Sequence, residues 1–257
     1  MKKFVVAVFV LFGLLFIAES SVSLVSAHEI IPADVLELIQ NNPDITADEI
    51  DAFVASQGSD TWAGQWQLFQ DFVVLGVKHI LEGLDHILFV LTLVLVYTRL
   101  GHVLKLVTSF TIAHSITLIL AGSGFFELSS SVVEPLIALS IVYMAIFPVF
   151  FAKNELVKSE RRQIFGVFFF GLFHGLGFAG LLADLNIPVD HFLLSLLSFN
   201  VGVEVGQVLI LAAVIPMILL LKKTSYYQVV MKCSAVVMAA VALFWVVERT
   251  VGFGVFG

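Results

Sequence analysis

His79, Glu82, Asp85 and His86 stand within eight consecutive residues of a segment that is otherwise almost wholly apolar. Ionisable groups in such a segment are costly unless they are paired or face a hydrated interior, so each is a candidate for function. On a continuous helix turning about 100° per residue, the four fall within an arc of about 120°. Imidazoles and carboxylates on one helical face suit a divalent cation. Lys78 projects towards Asp85 and offers the other reading, a salt-bridged seam that fixes helix packing. In a second apolar segment His114 shares a face with Thr111 and Thr117, as a ligand or as an interhelical hydrogen-bonding group. His174 lies in Gly171-Leu-Phe-His-Gly-Leu-Gly-Phe-Ala-Gly180, where Gly171 and Gly175 form a small-xxx-small edge that draws another helix towards the ring.

Asn200, Glu204 and Gln207 occupy one face of a later segment, with Gly202 and Gly206 on the opposite face. A polar stripe and a glycine stripe imply protein contacts on both sides. Glu134, ahead of Pro135 at a helix start, complements the positive end of the helix dipole, so it ranks with Glu82, Asn200 and Glu204 as a secondary polar candidate. His102 and His191 lie at segment edges and need no special role. A single cysteine, Cys233, excludes an internal disulfide and a cysteine-rich zinc or iron-sulfur site, so any metal must be held by His, carboxylate or amide groups.

The elements that must position these groups are membrane helices. Of 257 residues, 60% are apolar and 13% charged, more apolar surface than a soluble fold of this size can hide, and 25 Phe against 4 Tyr and 3 Trp points the same way. Lys2 and Lys3, an apolar run from Phe4 to Ala18, and small residues ending at Ala27 read as a signal peptide over residues 1–27; an uncleaved first span is the alternative. Cleavage there leaves His28 at the mature N-terminus, where its amine and imidazole could meet a metal. Residues 28–71 hold nine acidic residues and no Lys or Arg, which places the acidic segment 28–70 outside the membrane. Short amphipathic helices are expected there over 32–40 and 46–56, the second opened by the capping-box pair Thr46 and Glu49.

Six apolar segments follow, at about 71–98, 103–122, 132–152, 163–184, 192–221 and 228–247, each long enough to span. The expected fold is therefore an all-α membrane bundle of six helices over 71–247, with a short tail, 248–257, returned to the outside. The basic residues Arg99, Lys105, Lys153, Lys158, Arg161, Arg162, Lys222, Lys223 and Lys232 all fall on the loops or helix ends that this topology makes cytoplasmic, leaving Lys78 in the first span and Arg249 at the tail.

Five runs carry a resemblance to a known family: Gly76-Val-Lys-His-Ile-Leu-Glu-Gly-Leu-Asp-His-Ile-Leu-Phe89, Phe110-Thr-Ile-Ala-His-Ser-Ile-Thr-Leu118, Val133-Glu-Pro-Leu-Ile-Ala-Leu-Ser140, Phe170-Gly-Leu-Phe-His-Gly-Leu-Gly-Phe-Ala179 and Phe199-Asn-Val-Gly-Val-Glu-Val-Gly-Gln207. In order and content they resemble the HupE/UreJ family, especially its second branch, across roughly 70–247. The resemblance implies a membrane protein associated with nickel or cobalt uptake for hydrogenase and urease maturation. It also implies metal-handling positions at His79, Asp85, His86, His114 and His174, with Glu82, Asn200 and Glu204 in matching polar motifs. Where first-branch proteins have a His-Pro step, this chain has Lys78-His79-Ile80.

The expected activity is that of a divalent transition-metal permease of the cytoplasmic membrane, for nickel, cobalt or zinc, without an ATP site, since no P-loop pattern occurs. Its partners are the ion, the bilayer and metalloenzyme maturation proteins, with no nucleic acid. Two other classes fit the same residues. One is an intramembrane zinc hydrolase in which Glu82 or Glu204 activates water and Ser115 helps bind an oxyanion. The other is a metal sensor or assembly partner without transport.

Overall fold

The computed structural model describes residues 62–97, 99–125, 128–151, 159–183 and 189–252. The signal peptide, His28, the expected helices at 32–40 and 46–56 and the last residues of the tail lie outside the described residues. The chain divides into two compact units, residues 1–68 and 69–257, and the second contains every element discussed below except the opening turns of the first helix.

The described elements are all helices: α1 (Trp62–Glu82), α2 (Leu84–Val96), α3 (Leu100–Gly122), α4 (Ser130–Phe150), α5 (Glu160–Ala183), α6 (Val189–Leu221) and α7 (Tyr227–Val251). Four stretches, Leu100–Gly122, Ser130–Phe150, His191–Leu221 and Tyr227–Val251, are long and apolar enough to cross a membrane. The distribution of side chains says the same. Ile112 and Ile116 of α3, Leu139 of α4, Leu197 and Val201 of α6, and Leu243 and Phe244 of α7 all face outward, whereas Thr92, Thr111, His114, His174, Asn200 and Gln207 are buried. Apolar outside and polar inside is the arrangement that a hydrocarbon solvent selects.

The first apolar segment departs from expectation. It is two helices rather than one, broken at Gly83, whose backbone is extended (φ −76°, ψ 101°). The hydrogen-bond ladder closes on both sides of the break, with Gly83 N–H donating to His79 O at 3.0 Å and Ile87 N–H donating to Gly83 O at 3.0 Å. A Cβ at residue 83 would lie 2.7 Å from His79 O and 2.8 Å from His86 Nδ1, so glycine is required by space, and the single 120° arc is lost.

Beyond the break, α2 is the strut of the bundle. Phe89, Val90, Leu91, Leu93 and Val94 are buried, and α2 packs on α3, α4, α6 and α7. Around it α3 pairs closely with α5, and α4 with α7. The glycine edges read from the sequence make such approaches possible. A Cβ at Gly171 would sit 2.6 Å from Phe110 O and 2.9 Å from Ala113 Cβ, and one at Gly175 would collide with Thr117 Oγ1. On α6, Gly202 and Gly206 admit α1, where Val73 O and Ile80 Cβ fill the space a side chain would take. These small-residue contacts substitute for the hydrophobic drive that helices lack in lipid.

Candidate metal centre

The break at Gly83 turns the first histidine pair onto a common point from two helices. His79, in the last turn of α1, and His86, in the first of α2, have ring centroids 4.5 Å apart. His114 of α3 joins them, its ring centroid 5.9 Å from that of His79 and 6.1 Å from that of His86. Each of the three offers one ligand-type atom, and these atoms all lie within 4.8 Å of one another. His174 of α5 flanks the group, with its ring 5.4 Å from that of His86.

Hydrogen bonds fix which nitrogen His114 and His174 present. Asn200 donates from Nδ2 to Leu196 O at 2.7 Å, so its Oδ1, 3.3 Å from His114 Nδ1, is an acceptor. His114 must therefore carry its proton on Nδ1 and a lone pair on Nε2. His174 is set the same way, because Nδ1 lies 2.9 Å from Phe170 O, which can only accept. Each Nε2 of His79, His86, His114 and His174 is buried without a hydrogen-bond partner. Buried nitrogen atoms are ordinarily satisfied, and the three histidines that converge from three helices, with a fourth unpartnered imidazole beside them, are the kind of donor set that a soft or borderline divalent cation takes. Fixing one ring nitrogen on an amide or carbonyl so that the other is free for a metal is the usual supporting arrangement.

Aromatic rings wall the cluster. Phe178 and Phe199 lie against His79 at 4.3 and 5.3 Å, and Phe89 and Phe110 against His174 at 5.0 and 4.9 Å. Sequence reasoning singled out none of the four, although each stands inside a family-like run and the signal was there as aromatic residues next to the histidines. Such a shell excludes water and strengthens any electrostatic interaction inside it.

The other expected residues separate. Asp85 does not face the cluster alone: its Oδ2 accepts Arg249 Nη2 at 3.0 Å, while Oδ1 is buried without a hydrogen-bond partner. The neutralising cation is thus Arg249 of α7, where the sequence suggested Lys78. Glu82 is exposed at the end of α1. Glu134 is half-exposed, with its Oε2 3.9 Å from Arg249 Nε. Glu204 accepts Thr108 Oγ1 at 2.6 Å and Gln207 accepts Thr111 Oγ1 at 3.0 Å, so with His114 and Asn200 they form a polar seam between α3 and α6. Ser115 donates to Thr111 O of its own helix at 2.7 Å, the ordinary role of a serine in a membrane helix.

The fold and site together define a helical membrane protein with a buried histidine cluster suited to a divalent metal. The chain belongs to the HupE/UreJ family: the family model described as HupE / UreJ protein matches residues 56–249. That range contains all five family-like runs and all the histidines of the cluster. No curated protein and no solved structure gave a significant match.

Proposed function

We propose that this protein is a divalent transition-metal permease of the cytoplasmic membrane, carrying an ion of the nickel, cobalt or zinc type through a bundle of six spans. The observation that carries the reading is the convergence of one ligand-type atom from each of His79, His86 and His114 within 4.8 Å, with the His174 ring beside His86 and the Nε2 of all four unpartnered, in an aromatic shell. Two nitrogens on one tetrahedral ion at about 2.1 Å lie roughly 3.4 Å apart, so binding draws the rings inward. In exchange the imidazoles replace the hydration shell that the ion must lose. Within this reading α1 and α2 form one interrupted span, α5 is another, and the interruption falls where the ligands are, as irregular backbone at membrane depth does when it lines a site.

The seam of His114, Asn200, Thr111, Gln207, Thr108 and Glu204 continues the polar surface along α3 and α6 and supports passage rather than storage alone. Glu204, engaged by Thr108, and exposed Glu82 favour transport over the zinc hydrolase, which needs a carboxylate directed at a metal-bound water.

The test is metal content of the purified protein followed by flux into proteoliposomes loaded with a metal-sensitive dye. Bound metal with His114-dependent flux is the expected result. Stoichiometric zinc without flux would transfer the assignment to the hydrolase, and reversible binding without flux to a sensor or assembly partner. The proposed orientation, with the mature N-terminus and the C-terminus outside, is tested in a Cys233→Ser background by single cysteines at Ser129 and Ser159. Ser129 should label in intact cells and Ser159 only after permeabilisation.

A further inference from the structure

Three charges meet where α2 and α4 begin and α7 ends, and the metal reading leaves them without a task. Gly252 caps α7 in the left-handed conformation (φ 70°), which fixes Arg249 in the last turn of that helix. From there the guanidinium reaches two acidic residues on two other helices. Nη2 donates to Asp85 Oδ2 at 3.0 Å, Nη1 donates to the Glu134 backbone carbonyl at 3.3 Å, and Nε stands 3.9 Å from Glu134 Oε2. The guanidinium carbon is 5.3 Å from the centre of the Trp245 ring, which gives it a hold independent of either carboxylate.

Asp85 is the chain neighbour of His86 and keeps one buried oxygen, Oδ1, without a hydrogen-bond partner. A carboxylate in such a place needs a counter-charge, and Arg249 supplies it. A dication arriving at His86 needs one too, and Asp85, the chain neighbour of His86, is placed to supply it. One carboxylate cannot fully neutralise both cations, and like charges brought together in a low-dielectric site repel strongly. Arg249 has somewhere to go. Glu134 is already in contact, and it is the more exposed carboxylate, 49% against 22% for Asp85, so it can take the guanidinium at small desolvation cost.

We propose that Arg249 is a tethered counter-cation that holds Asp85 while the histidine cluster is metal-free and passes to Glu134 when a dication claims Asp85. The inference rests on the metal reading of the histidines. Arg249 is then a positioning residue that sets affinity without touching the ion. Linkage makes the competition reciprocal: whatever Arg249 takes from metal affinity, the metal takes from the Arg249–Asp85 pair. In a carrier this keeps binding reversible, since a returning Arg249 helps to release the cargo.

The test is calorimetric titration of full-length detergent-solubilised protein with Ni²⁺, Co²⁺ and Zn²⁺, together with melting of the metal-free form. Arg249→Gln should bind about tenfold more tightly than the parent, the range of ordinary coupling energies. Its metal-free form should melt at a lower temperature, because Asp85 has lost its partner. Glu134→Gln, at a half-exposed position where folding is not at stake, should bind several-fold more weakly because the guanidinium has lost its second acceptor. If the parent and His114→Ala alike bind no metal, the metal reading itself fails. If the parent binds through His114 but folded Arg249→Gln binds equally or more weakly, Arg249 is a fixed staple among α2, α4 and α7 and the exchange is refuted. Should Arg249→Gln not fold, Glu134→Gln decides: weaker binding supports the exchange, and parental binding overturns it.

Discussion

Helices α3 and α5 face each other along their length and hold histidines in two settings. Towards the start of both helices, His102 Nε2 is 2.6 Å from Gln163 Oε1, and its Nδ1 is 3.3 Å from Glu160 Oε1, off the line of a hydrogen bond but within ion-pair range. Lys105 closes the group with a 2.8 Å contact to the same carboxylate. Three turns further along α3, His114 has one nitrogen held by Asn200 and the other open, and His174 of α5 is alike. The backbone differs in step. Gly166, near the His102 end, would meet nothing with an added Cβ, whereas Gly171 and Gly175 would strike Phe110, Ala113, His114 and Thr117. A histidine hydrogen-bonded at one nitrogen, with the other facing an exposed carboxylate, is part of a structural cross-link. A histidine satisfied at one nitrogen and wedged where two backbones nearly touch is prepared for something that is not protein.

The strongest way to break this contrast is to exchange the two fates. His114→Ala should abolish metal binding by the purified protein, whereas His102→Ala should leave the affinity at the parental value, both read by equilibrium dialysis with metal analysis. Loss of binding in both variants would mean that the end of the bundle matters as much as its interior. Asn200→Ala should fall between them, because His114 then loses the acceptor that fixes its tautomer; removing such support costs about 10- to 100-fold in metal affinity. Parental affinity in that variant would take Asn200 out of the site.

A weaker effect is expected from the glycines. Gly175→Val puts methyl groups into Thr117 Oγ1 and the His114 backbone, and overpacking of this kind costs about 1–3 kcal/mol. Gly166→Ala adds a side chain in open space and gains helix propensity, worth up to about 1 kcal/mol in the opposite direction. Thermal melts of the two variants should move in opposite directions, and a shift of the same sign and size in both would show that the α3–α5 contact is uniform.

Much of this contrast is legible in the sequence, and the illegible part has a physical cause. The glycine edges at Gly171 and Gly175 and at Gly202 and Gly206 follow from spacing alone, because a helix repeats its faces regularly and the structure adds only the partner. The separation of His102 from His114 and His174 follows from position relative to the apolar runs. The break at Gly83 does not, since one glycine in a helical pattern is usually tolerated, and what forces it here is the crowding of His79 O and His86 Nδ1, a tertiary fact. The Asp85–Arg249 pair spans 164 residues of sequence and lies beyond any periodicity. Lys78 looked the better partner for Asp85 because on an unbroken helix the two share a face. The aromatic walls were hidden for a different reason: in a membrane chain with 25 phenylalanines, Phe89, Phe110, Phe178 and Phe199 have no compositional mark that sets them apart.

The smallest effect belongs to the wet end and tests whether its charges do anything beyond linking helices. Glu160 is half-exposed, and the hydrogen bond from Lys105, with His102 adding to it, holds its carboxyl below the ordinary value of 4.5. A carboxyl depressed on folding contributes stability above its unfolded value and loses it as pH falls through the lower folded value. The contribution of Glu160 should therefore be present at neutral pH and fade only in acid, below about the ordinary carboxyl range. Exposed pairs are weakened by solvent and salt, so Glu160→Gln should lower the melting temperature slightly at pH 7 in low salt. The difference should vanish at high ionic strength and again in acid. Metal affinity should not change in this variant, because the pair stands at the far end of α3 from His114. A Glu160→Gln protein with altered metal affinity at unchanged stability would join the two regions into one functional path and remove the contrast between them.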